Sequence, residues 1–265
     1  MNAITRKPTK AHDPDQETPE QKQARADLAA AQRLAVIQEM SEGIYNHFTL
    51  AVPGTDDRFY VSPLGLHWSE ISAGSLLTVG YDGDILDGKG LLQRSAYCIH
   101  APIHRRRPEH AALLHTHMPY TSALTRLKDQ RLLPIGHTEA QLVTQIAYDE
   151  DYTGLARDPA EGERLADALG DRTILIMAHH GVLVAGRSVS EAYDRLYTLE
   201  RAARVQLFAQ WTGQPLRHLS DDQVALVHAQ ITGTPLSNGS AKRGHELHFD
   251  ALKRLLDRQN PGYRD

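Results

Sequence analysis

Residues 111–120, Ala111-Ala112-Leu113-Leu114-His115-Thr116-His117-Met118-Pro119-Tyr120, run from four small or apolar residues into a His-x-His pair that a proline closes. The run suits a buried strand, and Pro119 ends it. Alternate side chains of a strand share a face, so His115 and His117 are expected to point the same way, about 6.5 to 7 Å apart along the chain. Two imidazoles so placed can grip one metal ion. Alone, the pair reads more simply as a strand end with two hydrogen-bonded histidines, because histidine is commonly semi-buried. The metal reading therefore needs a third ligand.

Residues 173–186, TILIMAHHGVLVAG, offer one. A second apolar run ends in His179-His180-Gly181 and resumes as an apolar segment closed by Gly186. Two buried strand ends that each carry histidine can meet at one sheet edge, as a three-histidine site with open positions requires.

The chain has 265 residues, 41% hydrophobic and 23% charged, which fits one large α/β domain, or a domain with tails. A formal charge of -4 gives no domain-wide basic excess to meet phosphates, so nucleic acid is not an expected partner. Arg105-Arg106-Arg107 is the one basic cluster and suits a solvated helix C-terminus. Cys98 is the single cysteine, which excludes an intramolecular disulfide and cysteine-based zinc sites. No leader pattern and no membrane-length apolar run occurs, so a cytoplasmic, membrane-independent protein is expected. The fifteen histidines suit a nitrogen-ligand metal site.

Residues 1–24 are rich in Lys, Pro, Gln and Glu and read as a disordered tail. Leu28, Ala31, Leu34, Ala35 and Ile37 recur at helical spacing, giving a helix to about Glu42 and opening a domain over 25–215. Strands are expected around 47–52, 58–62 and 75–79, with Asp82-Gly83 as a hairpin turn. The 94–106 segment reads as a helix stopped by Pro108. Further readings are a short helix over 121–126, a short strand over 132–135, a helix over 137–147 and a helix over 160–169 closed by Gly170. Ser188-Val189-Ser190-Glu191 is a capping box for a long helix to about Trp211. Residues 216–265 form a polar extension with one further helix near 245–258.

The order and spacing of five segments resemble the class II aldolase/adducin family: Tyr45-Asn46-His47-Phe48-Thr49, the run SPLGLHWSEISAGSLLTV from Ser62, IHAPIHRRRPEHAALLHTH from Ile99, HHGVLVAG from His179, and EAYDRLYTLERAARVQ from Glu191. The resemblance implies an α/β fold, a three-layer α/β/α sandwich about a central, largely antiparallel sheet. It also implies a divalent metal, Zn²⁺ with Mn²⁺ or Fe²⁺ as alternatives, held by His115, His117 and His180. A homo-oligomer, often a tetramer, follows as well, with active-site residues lent by a neighbouring subunit; Tyr263 is a conceivable donor. Adducin-like bacterial members are the nearer branch.

Departures from the family pattern bear on function. Sugar-phosphate aldolases carry Pro-Ser-Ser-Glu ahead of the first ligand pair, with the glutamate as acid/base or ligand. Gln93-Arg94-Ser95-Ala96 stands there in this chain, and alanine cannot move a proton. The phosphate loops are altered too, which argues against phosphate recognition. Arg94, Ser95, Asn46 and Thr49 become candidates for binding a small carboxylate substrate. His179, Tyr120, His137 and Glu139 are candidate acids or bases. His100 and His104 are four apart on one helix and mimic a ligand pair, but the family match makes His100 a packing and hydrogen-bonding residue. A metal held by imidazoles would stabilise the enolate left when a C–C bond next to a carbonyl breaks. The expectation is thus a lyase, decarboxylase ahead of retro-aldolase. An Fe(II) oxygenase on the same histidines and a non-catalytic adducin-like oligomerisation module are the alternatives.

Overall fold

The computed structural model describes residues 3–4, 17–233 and 242–265. Its strands are β1 (Ala3–Ile4), β2 (His47–Ala51), β3 (Arg58–Val61), β4 (Leu77–Gly80), β5 (Ile85–Asp87), β6 (Leu92–Gln93), β7 (Ala112–Thr116), β8 (Ile146–Asp149), β9 (Ile174–Met177) and β10 (Val182–Gly186). β1 pairs with β6. The others form one sheet of eight in the order β5-β4-β3-β2-β7-β10-β9-β8. All its neighbours are antiparallel except β8 and β9, which run parallel.

The helices are α1 (Pro19–Ile37), α2 (Arg94–Arg106), α3 (Pro119–Leu124), α4 (His137–Leu142), α5 (Pro159–Leu169), α6 (Val189–Trp211), α7 (Asp221–Gly233) and α8 (Gly244–Gln259). Strand alternation sorts them into layers. Ala112 and Leu114 of β7 join Val182 and Val184 of β10 in a core shared with Leu28 and Leu34 of α1 and Leu196 and Leu199 of α6. Leu113, Leu183 and Ala185 face the other way, onto Ile99 and Ile103 of α2 and Leu165 and Leu169 of α5. The result is the α/β/α sandwich that the resemblance implied. No helix among the described residues is long and apolar enough to cross a membrane.

The second layer depends on one close crossing. Pro102 lies inside α2, so no N–H reaches the carbonyl of Cys98 one turn back. Gly162 of α5 packs against that spot: a Cβ there would meet the Cys98 oxygen at 2.0 Å and Pro102 Cγ at 2.8 Å. Gly162→Ala is expected to force the helices apart and cost about 1–3 kcal/mol, a melting temperature lower by roughly 2–4 °C per kcal/mol. A thermal melt superimposable on that of the wild type would mean that the two helices are not so close.

Several elements differ from expectation. α1 starts at Pro19, within the stretch read as tail, because Thr18 and Gln21 form a reciprocal capping box. Arg25 then anchors it: the side chain is 2% exposed, donates to the Leu76 carbonyl at 2.9 Å and Thr78 Oγ1 at 2.9 Å, pairs with Glu17 and Asp87, and lies 4.3 Å over the Tyr60 ring. Of the rest of the expected tail, residues 1–2 and 5–16 lie outside the described residues.

The helix expected over 137–147 stops at Leu142, and Ile146 opens β8, an edge strand that only its parallel partner β9 reveals. No strand forms over 132–135. The amide of Leu132 donates to the Tyr148 hydroxyl at 3.1 Å and that of Leu133 to Gln206 Oε1 at 2.7 Å, so side chains replace a ladder. The C-terminal extension holds two helices, not one: α7 packs on α4, and α8 on α6 and α1. Ser188 caps α6 as expected, accepting from the Glu191 amide at 3.2 Å, but Glu191 Oε2 takes the Arg187 amide at 2.7 Å.

Candidate metal centre

His115 is the penultimate residue of β7, with its side chain on the α2 side of the sheet, and His117 follows directly after the strand's last residue, Thr116. β9 and β10 form a hairpin, and its turn carries His179-His180-Gly181. Because β10 lies directly beside β7, with Val182 paired to Thr116, that turn comes down next to the two histidines. Gly181 permits the approach: a Cβ there would meet His117 Cδ2 and the Thr116 oxygen at 2.6 Å.

Nitrogens of His115, His117 and His180 all lie within 4.8 Å of one another. Ring centroids are 5.0 Å apart for His115–His117, 4.9 Å for His115–His180 and 4.8 Å for His117–His180. Tetrahedral coordination at bonds of about 2.0–2.1 Å calls for nitrogens roughly 3.4 Å apart, within reach of small ring rotations.

The far nitrogens are already engaged. His115 Nδ1 donates to the Val182 carbonyl at 3.0 Å, and His117 Nδ1 donates to Glu42 Oε2 at 2.5 Å. A neutral imidazole that donates from Nδ1 has a bare lone pair on Nε2, the form a metal takes. His117 Nε2 is buried and has no hydrogen-bond partner among the described residues. Burial, reinforced by the neighbouring imidazoles, drives His115 well below the usual histidine range. Burial, then His117 and Arg126, brings His180 down to about 4. Both are unprotonated at neutral pH, as ligands must be.

The family model for the class II aldolase and adducin N-terminal domain matches residues 26–207. The chain belongs to the class II aldolase/adducin family. It is 35% identical over 91% of its length to a Pseudomonas aeruginosa protein described provisionally as an aldolase class 2 protein, covering 92% of that protein. It is 34% identical to rat alpha-adducin over 92% of its own length, but spans 34% of that longer protein. A crystal structure of an aldolase II superfamily protein from Pseudomonas syringae superposes with a TM-score of 0.85 at 36% identity, over 95% of this chain and 98% of the other.

Within this class II aldolase fold, Ala96 is fully buried among Phe59, Val61, Leu77 and Leu92, an apolar environment with no place for a carboxylate. Behind His115 lies a feature that motif reading missed, a buried chain of polar side chains between the sheet and α2. The His47 ring sits 4.6 Å from that of His115, its Cα partner across β2 and β7. His47 Nδ1 is 2.9 Å from His100 Nε2, and the Thr49 hydroxyl lies 2.6 Å from His100 Nδ1 and 2.9 Å from His104 Nε2. Burial, then neighbouring imidazoles, drives His47 and His100 well below the usual range, and burial takes His104 to about 3.

The other candidates disperse. Thr49 is engaged by this chain. Asn46 is buried, its Oδ1 accepting the Glu42 amide at 2.8 Å while Nδ2 has no partner among the described residues. Arg94 Nε donates to the Arg157 carbonyl at 2.5 Å, and Ser95 Oγ accepts from Gln93 Nε2 at 3.0 Å. His179, at φ 57°, is exposed with its ring 5.9 Å from that of Tyr152. His137 is exposed at the start of α4, while Glu139 is buried there and its carboxyl is raised by desolvation. Neither is hydrogen-bonded to the three histidines among the described residues. Tyr120 is half-buried, 5.8 Å from Phe208, and its hydroxyl has no hydrogen-bond partner among the described residues.

Two further residues reach the centre with no motif to announce them. Glu42 comes from the loop after α1. Arg126, just past α3, places Nη1 at 2.7 Å from the His180 carbonyl, 2.9 Å from the Ser122 carbonyl and 2.5 Å from Thr125 Oγ1.

Proposed function

We propose that this protein is a metal-dependent lyase that cleaves a C–C bond next to a carbonyl in a carboxylate substrate. The observation that carries the reading is the convergence of three imidazoles, two of them held through Nδ1 so that Nε2 faces inward. Zinc suits three nitrogen donors best, with Mn²⁺ and Fe²⁺ the alternatives. A bound divalent ion would supply charge stabilisation for the enolate oxygen left after bond cleavage.

Arg126 replaces Arg94 as the proposed carboxylate anchor. Three acceptors hold Nη1, and Nε and Nη2 have no partner among the described residues, so one edge of a fixed guanidinium is free beside His180. The unpartnered Tyr120 hydroxyl, three residues past His117, is the proposed proton donor. Burial of Ala96 in an apolar cluster favours decarboxylation, whose carbanion forms without removal of a substrate hydroxyl proton.

The test is a screen of 2-oxo and 2-hydroxy acids for release of CO₂ or aldehyde, comparing metal-loaded with chelator-treated protein. Release that the chelator abolishes supports the lyase; no release from the loaded protein by any member of the class overturns it. With a substrate in hand, Arg126→Gln is expected to raise KM about 10- to 100-fold, the loss of one charge-assisted hydrogen bond, with kcat little changed. An unchanged KM would remove Arg126 from the site. The likeness to alpha-adducin favours a second reading, a non-catalytic binding module. Protein that takes up no metal on titration would put that reading first, and protein isolated with iron that consumes oxygen would favour an oxygenase.

A further inference from the structure

We infer that Glu42 is a positioning residue of the metal centre, setting the orientation and donor strength of His117. The inference rests on the reading of the three histidines as a metal centre. Glu42 Oε2 accepts from His117 Nδ1 at 2.5 Å. An exposed glutamate beside an exposed histidine would be an ordinary surface pair of small energetic consequence. Here the opposite nitrogen, His117 Nε2, is buried and has no partner among the described residues. A surface pair leaves that orphan unexplained; a carboxylate–histidine–metal relay accounts for it, because the carboxylate fixes the tautomer and makes Nε2 the better donor.

The backbone that carries this carboxylate is held in place. The Glu42 amide donates to Asn46 Oδ1 at 2.8 Å, and the same oxygen lies 3.0 Å from Thr116 Oγ1. Thr116 Oγ1 is also hydrogen-bonded to the carbonyl of Met40, which is 1% exposed in the core. The loop is therefore pinned at Met40 to Thr116, the residue that separates His115 from His117, and at Glu42 to Asn46. Asn46 thereby acquires a role in the support of the centre. The two histidines of the His-x-His pair are supported unequally: His115 leans on a neutral carbonyl, and His117 on a charge. Removing the charge should weaken the centre at one ligand and leave the other two in place.

The experiment measures Zn²⁺ affinity by competition with a chromogenic chelator, and the visible spectrum of the Co²⁺-loaded protein, for the wild type, Glu42→Gln, Glu42→Ala and His180→Ala. Glu42→Ala is expected to bind Zn²⁺ about 10- to 100-fold more weakly. Its Co²⁺ bands should shift. Glu42→Gln, which retains an acceptor without the charge, should fall between the alanine variant and the wild type. Tight binding by the wild type, loss in His180→Ala and unchanged affinity and spectra in both Glu42 variants would overturn the role of Glu42 alone. A lower melting temperature in Glu42→Ala without a change in affinity would also overturn it. Absence of metal binding in the wild type would overturn the metal centre and the inference with it.

Discussion

Replacing His180 by alanine is expected to empty the metal centre and abolish turnover while leaving the fold intact. Structural zinc sites of four ligands bind with an apparent 10–16 kcal/mol at neutral pH, so one ligand of such a set is worth roughly 3 kcal/mol, or more than a hundredfold in affinity. With three protein ligands the loss leaves two nitrogens, insufficient to retain an ion against a chelator. The choice of His180 matters. It is only partly buried in the turn between β9 and β10, whereas His115 is 2% exposed and in ring contact with His47, so His115→Ala would also open a cavity beside the buried polar chain. Elemental analysis of protein purified without a metal-binding tag, with thermal melts in parallel, decides the matter. Metal content equal to the wild type in a well-folded variant would show that the ion, if any, binds elsewhere.

The two histidine segments of the candidate centre are legible in the sequence because each is announced by its surroundings, while the choice of His180 over His179 comes from the family resemblance. An apolar run brings each histidine segment to the sheet, the strand period sets His115 and His117 two residues apart, and Gly181 marks a backbone position with no room for a side chain. The elements β7, β10 and α6 are legible from their strong apolar patterns, whereas the three-layer arrangement is implied by the family resemblance. What eludes the sequence is held together by tertiary pairing alone. β8 has the composition of a helix continuation, and only its hydrogen bonds to β9 make it a strand. Glu42 and Arg126 are polar residues in unremarkable loops. Their position at the centre follows from the loop after α1 being tied to Thr116, and from Arg126 reaching the His180 carbonyl from the end of α3.

His47 illustrates the limit from the other side. It lies in Tyr45-Asn46-His47-Phe48-Thr49, one of the five segments that carry the family resemblance, in which the sequence offers Asn46 and Thr49 as substrate-binding candidates. In the sheet, His47 and Thr49 share one face of β2 and turn inward onto α2, where the i, i+4 pair His100 and His104 meets them. Helical spacing brings His100 and His104 together, and strand spacing brings His47 and Thr49 together. That the two pairs would meet each other depends on how α2 crosses the sheet, which periodicity does not encode.

That buried chain is expected to make the metal-free protein acid-sensitive well above the range in which carboxylates titrate. His47, His100 and His104 are held below the unfolded value of about 6.5 by burial first and, for the first two, by neighbouring imidazoles. A histidine with a depressed folded-state pKa is protonated first in the unfolded chain, so its contribution to stability is complete above about pH 6.5 and is lost as the pH falls from there towards the folded value. For His104, with a folded value of about 3, the loss between pH 7.5 and pH 5 is about 2 kcal/mol. His47 and His100 act in the same direction, so the three together remove a large part of an ordinary 5–15 kcal/mol. Urea unfolding of chelator-treated protein is expected to show a steep fall in midpoint over this interval. In His104→Leu the absolute stability should be lower at pH 7.5, because the Thr49 hydroxyl loses one neighbour, but the pH slope should diminish by close to one proton. Stability that is flat from pH 7.5 to 5, or a slope in His104→Leu equal to that of the wild type, would show that these rings are not held neutral. In that case the chain of imidazoles behind His115 would have to be hydrated and far less tightly packed than its 2.6 to 2.9 Å contacts describe.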